Sequence, residues 1–267
     1  MNLKEGARTF YIVVRNLVLG GNLISLAQWR RPRAMLYYVG ECLFLYKSMH
    51  FKRKLKQKAV CRILGCQSVE EIRLGNLKES TWLISNPSFV ADLVSLCLIC
   101  RAVQPKVVFE IGTQTGYTSF HFALNSPEDA HVYTLDLPND AHLDAGLKTT
   151  LADISERYKT EGVKGMCFAG TEWERKITCL KGDSATYDFT PYHTKVDLFF
   201  VDGAHSYEYV RSDTLNALKC CHPGSVIVWH DYARVGLGGV NRWLHEFAKE
   251  GREIYCVPGG SVAYMTV

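Results

Sequence analysis

Residues 106–116 run from an apolar segment into a turn bracketed by two glycines, and no other stretch limits the possible folds so tightly. Val107, Val108, Phe109 and Ile111 make the short apolar run of a strand covered on both faces. Gly112 and Gly116 bracket the turn, and residues 117–125 read as the helix that follows. A turn of this kind lets a ligand approach bare backbone, with unpaired N–H groups at the helix start. Asp136 closes the next apolar run, twenty residues beyond Gly116. A carboxylate at that place can hold the two hydroxyls of a ribose. The pattern predicts a nucleoside-bearing cofactor.

Beyond this motif the chain alternates strand and helix. Pro87 stands at the first position of a helix capped by Asn86 and running to about Val103. Strands are expected near 106–111, 131–136, 176–180, 195–201, 224–230, 252–257 and 262–267, with helices over 117–125, 140–159, 206–221 and 239–250. Such alternation predicts an α/β fold with a doubly wound, Rossmann-like parallel sheet of seven strands. Residues 258–261, Pro-Gly-Gly-Ser, are too short for a crossover helix. The last two strands must therefore pair as an antiparallel hairpin.

The first 80 residues have another character and are expected to form a basic, helical amino-terminal extension ahead of a domain over 81–267. Residues 1–65 hold thirteen Lys/Arg against Glu5 and Glu41, whereas the remainder is acidic on balance, so the net charge of +4 conceals a strong asymmetry. The apolar runs 10–27 and 35–49 are interrupted or too short to span a bilayer. Two readings stay open: contact with an anionic membrane surface or a second subunit, and a helical cap whose charges are solvated. Nucleic acid is not the expected partner. The ten cysteines show no zinc-binding spacing, and Cys97 and Cys100 lie in an apolar run. Buried free thiols and a reducing, cytoplasmic setting are expected.

Three further polar groups fall at predicted strand ends: Gly182-Asp183-Ser184, Asp202-Gly203-Ala204-His205, and His230-Asp231-Tyr232. Open α/β sheets bind ligands at that edge. With the turn from Glu110 to Gly116 and with Asp136, this ordered set resembles the class I S-adenosylmethionine-dependent methyltransferases. More narrowly it resembles their small-molecule and sugar O-methyltransferase branch, related to cephalosporin-biosynthesis and macrolide-sugar enzymes. The likeness covers roughly 86–267. It implies S-adenosylmethionine held by Glu110, Gly112, Thr113, Gly116, Asp136, Asp183, Ser184 and Asp202, and a hydroxyl of a sugar, glycan or other small molecule as acceptor.

A hydroxyl must lose its proton as it attacks a methyl group. A general base or a divalent cation can assist. His205, three residues past Asp202, is the candidate base, with Asp202 beside it. Asp202, His230 and Asp231 are the candidate ligands of a cation such as Mg²⁺ or Mn²⁺. Related metal-dependent members carry an acid where this chain has His230, and imidazole favours softer ions. A metal-free site in which Asp202 orients His205 stays open. So do N-methylation or nucleic-acid methylation, and a non-catalytic module docking through its basic extension.

Overall fold

The computed structural model describes residues 55–58, 60, 71–75, 87–138, 147–150, 153, 166–234 and 237–267. Its centre is an eight-stranded sheet with two main-chain segments wound in opposite directions from its middle. In chain order the strands are β1 (Lys56–Gln57), β2 (Val107–Ile111), β3 (His131–Asp136), β4 (Ile177–Lys181), β5 (Val196–Val201), β6 (Cys221–Trp229), β7 (Tyr255–Cys256) and β8 (Ala263–Thr266). Across the sheet they lie β1-β7-β8-β6-β5-β2-β3-β4. All pairings are parallel except those of β8, which is antiparallel to both β6 and β7. The expected hairpin is present, with its last strand wedged between its two neighbours.

Side chains alternate across the sheet as the two-residue period requires. Phe109, Ile111, Phe199, Val201, Ile227 and Trp229 enter one buried cluster with Val210, Ala217, Val240, Leu244 and Phe247. Those last five come from α3 (Tyr207–Cys220) and α4 (Gly238–Lys249). Val108, Val132, Leu198, Phe200, Val226 and Val228 enter the other with Leu96, Ile99, Cys100, Phe122 and Ala123. These five belong to α1 (Pro87–Val103) and α2 (Tyr117–Asn125). The central strands β2, β5 and β6 are thus covered on both faces, which is why their sequences read as apolar runs.

Three expectations need correction. The sheet has eight strands, because Lys56–Gln57, inside the basic extension, pairs with β7. An unpaired β7 edge exposes backbone donors and acceptors, and β1 covers them, its strand flanked by the buried Leu55. The extension is therefore not wholly helical, and its described residues touch the domain: Arg73 exchanges hydrogen bonds with Asn125, and Gly75 donates to His121. The helix expected over 140–159 does not include residues 147–150, which are non-helical. There Thr150 and Asp153 exchange hydrogen bonds in the reciprocal manner of a helix cap, Thr150 N to Asp153 Oδ2 at 2.9 Å and Asp153 N to Thr150 Oγ1 at 3.2 Å. The remainder of residues 1–80 and Asn86 lie outside the described residues, and with them the expected membrane or subunit contact of the extension. Among the described residues no helix is long and apolar enough to cross a membrane. Cys97 and Cys100 are buried free thiols, and burial pushes Cys97 up to about 12.

Candidate active site

From β2 the chain winds to β3 and β4 on one side, and from β5 to β6 on the other. The carboxyl ends of β2 and β5 therefore flank the switch point of the sheet, where open α/β folds accept ligands. Gly112 and Asp202 are the residues that leave those two ends. Gly112 has φ of +102°, and a Cβ there would collide with the carbonyl of Asp202. Gly116 has φ of +76°, and a Cβ there would enter the ring of Phe168. Both glycines are thus required by the protein's own packing.

Asp136, at the end of β3, accepts a hydrogen bond from the backbone N–H of Gln114 in the glycine turn, 2.9 Å away. Its second oxygen accepts from Leu137 at 2.8 Å. Asp183 follows β4; its two oxygens each lie 3.1 Å from the hydroxyl of Tyr209, which donates to them. Ser184 beside it is buried. The glycine turn, Asp136 and the Asp183 loop stand at successive strand ends, as the sequence predicts.

Glu110 is placed differently. It is fully buried and receives hydrogen bonds from Ser119 of α2 and from Thr134 of β3, the latter at 2.6 Å. Thr113 shares a 2.7 Å bond with the same Thr134 hydroxyl. Burial pushes the Glu110 carboxyl up to about 8 against the pull of these two donors, so it is protonated at neutral pH. It acts as a neutral strut beneath the turn. The folded state keeps a proton that the unfolded chain releases above about pH 4.5. Glu110 therefore favours folding below that pH, and this contribution is lost as pH rises toward 8. Glu110→Gln, neutral in both states, should flatten that part of the stability profile. Denaturant unfolding at pH 5 and pH 8 should show the variant gaining on the parent by up to about 1.4 kcal/mol per pH unit.

The polar cluster forms where β5 and β6 end. After β5 the chain passes Asp202 and His205 and enters α3, whose N-cap is Ser206, accepting from Tyr209 N. After β6 it passes His230 and then Asp231, which adopts a left-handed φ of +59°. Aspartate tolerates that conformation better than most residues, and here its carboxylate faces both histidines. Nε2 of His205 lies 2.7 Å from Asp231 Oδ2 and 3.9 Å from Asp202 Oδ1. Nδ1 of His230 lies 3.1 Å from Asp202 Oδ1. Two outer acids complete the cluster. Asp153 meets His205 Nδ1 at 2.6 Å, and Asp92 of α1 meets His230 Nε2 at 3.2 Å. Arg234 reaches Asp231 and Asp92 at 2.7 and 3.0 Å, its guanidinium 4.0 Å over the ring of Phe89.

Four carboxylates thus face one guanidinium and two imidazoles. Burial pushes both rings down, but Asp153 and Asp231 hold His205 well above the usual histidine range, and Asp202 and Asp231 do so for His230. Burial pushes Asp231 up, and the two rings outweigh it and hold it well below the usual carboxylate range. While protonated, His205 cannot accept a further proton, so it can serve as ligand or base only after its Nε2 proton has left.

The cluster fits a divalent cation. Asp202, His205 and Asp231 offer donor atoms within 4.8 Å of one another. His205 Nε2 is buried close to Asp231 but off the line of a hydrogen bond, and Asp231 Oδ1 makes no hydrogen bond, though it is ion-paired with Arg234 Nε at 2.7 Å. A cavity of about 10 Å³, the size of one water, opens beside Asp202, His205 and His230. A dication would bring the same two charges as the two ring protons, so the charge balance is equal either way. Of the ligands expected from sequence, Asp202 and Asp231 are in this donor set and His230 is not, because Asp202 and Asp92 occupy its two nitrogens. His205 takes its place. Asp92 and Asp153 had no part in the sequence reading.

Residues 109–232 match a family model described as a methyltransferase domain. No curated protein matches the chain by sequence. Among solved structures, the chain is similar to the O-methyltransferase TomG from Streptomyces achromogenes, involved in tomaymycin synthesis and solved with SAM. That match has 17% identity, 82% of this chain and 95% of the other covered, and a TM-score of 0.45. The SAH-bound methyltransferase PaMTH1 of Podospora anserina has 14% identity, coverage of 72% and 88%, and a TM-score of 0.47. An O-methyltransferase from Bacillus cereus in complex with SAH has 15% identity, coverage of 83% and 96%, and a TM-score of 0.45.

Proposed function

We propose that the chain is an S-adenosylmethionine-dependent O-methyltransferase acting on a hydroxyl of a sugar, glycan or comparable small molecule, with a divalent cation held by Asp202, His205 and Asp231. The supporting observation is the meeting, at one sheet edge, of the glycine turn and Asp136 with Asp202, His205 and Asp231, all inside the residues that match a methyltransferase domain. The glycine turn and Asp136 bind the methionine and ribose portions, and Asp183 and Ser184 border the adenine.

In the reaction an oxygen lone pair of the acceptor forms the new C–O bond as the methyl–sulfur bond breaks. The electron pair stays on sulfur, which leaves as a neutral thioether. The cation, when bound, lowers the pKa of the acceptor hydroxyl. The negative cluster favours the cationic sulfonium, and Asp202, its most open inner carboxylate, is placed to take the hydroxyl proton. Positioning of acceptor and methyl group in line supplies much of the remaining acceleration.

Incubation of the full chain with methyl-labelled S-adenosylmethionine and panels of sugars, glycans and phenols tests the reading. Label is expected on an acceptor oxygen, lost in EDTA and restored by Mn²⁺ or Mg²⁺. Preferential labelling of nucleic-acid nitrogens, or NAD bound in preference to S-adenosylhomocysteine, would overturn it. Asp136→Ala should weaken S-adenosylhomocysteine binding by about 1–3 kcal/mol, the scale of lost hydrogen bonds to a charged acceptor, as read by calorimetry.

A further inference from the structure

His205 and His230 are built alike, each with one nitrogen toward the centre of the cluster and the other on an outer carboxylate. The two outer acids differ in their other commitments. Asp92 also accepts from Ser261 N and Oγ and from Arg234, and so ties α1 to the turn before β8. Asp153 serves His205 twice with a single oxygen: Oδ1 lies 2.6 Å from the ring Nδ1 and accepts from the His205 backbone N–H at 3.0 Å. Its second oxygen accepts from Thr150 N and Oγ1 at 2.9 and 2.7 Å. The side chain is 8% exposed, so these bonds are shielded from water.

From this geometry we infer that Asp153 is a positioning residue of the site, holding the His205 ring so that Nε2 is delivered to Asp202 and Asp231. An imidazole can turn about its side-chain bonds and can present either nitrogen. A short, charge-assisted bond to Nδ1 removes both freedoms. The bond to the backbone N–H fixes the loop that carries the ring, and Thr150 fixes the carboxylate. The arrangement is that of an outer carboxylate behind a ligand or base histidine. It gives the crossover between β3 and β4, otherwise remote in sequence from the cluster, a direct hold on the reacting edge. The inference deepens the methyl-transfer reading and rests on it for its kinetic part.

Two measurements on the full chain test it. The first is proton NMR of ¹⁵N-histidine-labelled protein. A far-downfield Nδ1–H resonance, assigned to His205 by its loss in His205→Gln, should vanish in Asp153→Ala and move upfield in the nearly isosteric Asp153→Asn. The second is kinetic. Asp153→Asn should lower kcat about 10–100-fold, with the KM of the acceptor and the Kd of S-adenosylhomocysteine within about twofold of the parent. If alanine does not fold, the asparagine variant carries both readouts. An unaltered His205 resonance would overturn the assignment, as would parental kcat, or a loss of kcat matched by loss of cofactor affinity and melting temperature. If no acceptor is methylated by the parent, the functional reading fails while the resonance still decides the placement of Asp153.

Discussion

Replacing His205 by alanine should lower turnover by roughly 10²–10⁴-fold, the range for a positioned acid–base group. S-adenosylhomocysteine binding should be nearly unchanged, since Asp136 and the glycine turn are left intact. The size of the loss follows from how much one ring does. Its Nδ1 is committed to Asp153, and its Nε2 faces Asp231 at 2.7 Å with Asp202 beyond. With one nitrogen spoken for, the ring serves through Nε2 either as a cation ligand or as a proton acceptor, but not as both. Steady-state kinetics with and without EDTA separates the two. If chelation mimics the variant and Mn²⁺ restores only the parent, Nε2 is a ligand. If the parent is indifferent to EDTA while the variant is dead, Nε2 is the base and the cation is removed from the mechanism.

The second large effect is on folding. Gly112→Ala places a methyl group against the carbonyl of Asp202, at a φ of +102° that L-residues rarely adopt. Strained backbone costs about 1–3 kcal/mol, and overpacking a similar amount. Because the obstacle is backbone, it cannot swing aside. A loss of at least about 3 kcal/mol is expected, which in a domain of this size lowers the thermal midpoint by on the order of 6–12 °C. Calorimetric unfolding of parent and variant measures it. An unshifted midpoint would show that the ends of β2 and β5 can separate without cost.

The frame of this site is legible in the sequence because it obeys local rules. An apolar run, two glycines and a later acid mark β2, its turn and β3. Pro258, Gly259 and Gly260 leave no room for a crossover and dictate the antiparallel β8. What escapes is what depends on contacts between distant elements. Asp92 lies on α1 beside Leu93, Leu96 and Cys97, all buried. A charge on an apolar face signals that a partner exists without naming it as His230. Asp153 stands three residues after Thr150, the spacing of a reciprocal cap, and that signal would have moved the helix start from 140 to beyond Thr150. Glu110 in an apolar strand reads equally well as a ligand group or as a buried acid, and only the positions of Ser119 and Thr134 decide between them. Lys56–Gln57 is too short to carry any periodicity.

The wedged position of β8 bears on the order in which the molecule can be assembled. β7 has no direct hydrogen bonds to β6, and the two are joined only through residues 263–266. A ribosome-bound chain released as far as Val257 would hold the glycine turn, both histidines and all four acids, yet β7 would have no place on the main sheet. Ser261, which closes on Asp92, also follows Val257 in the chain. The acid behind His230 is thus secured only after the hairpin is laid in. The geometry of the cluster therefore waits on residues 261–266, and a polypeptide ended before Ser261 carries both histidines and all four acids without that arrangement.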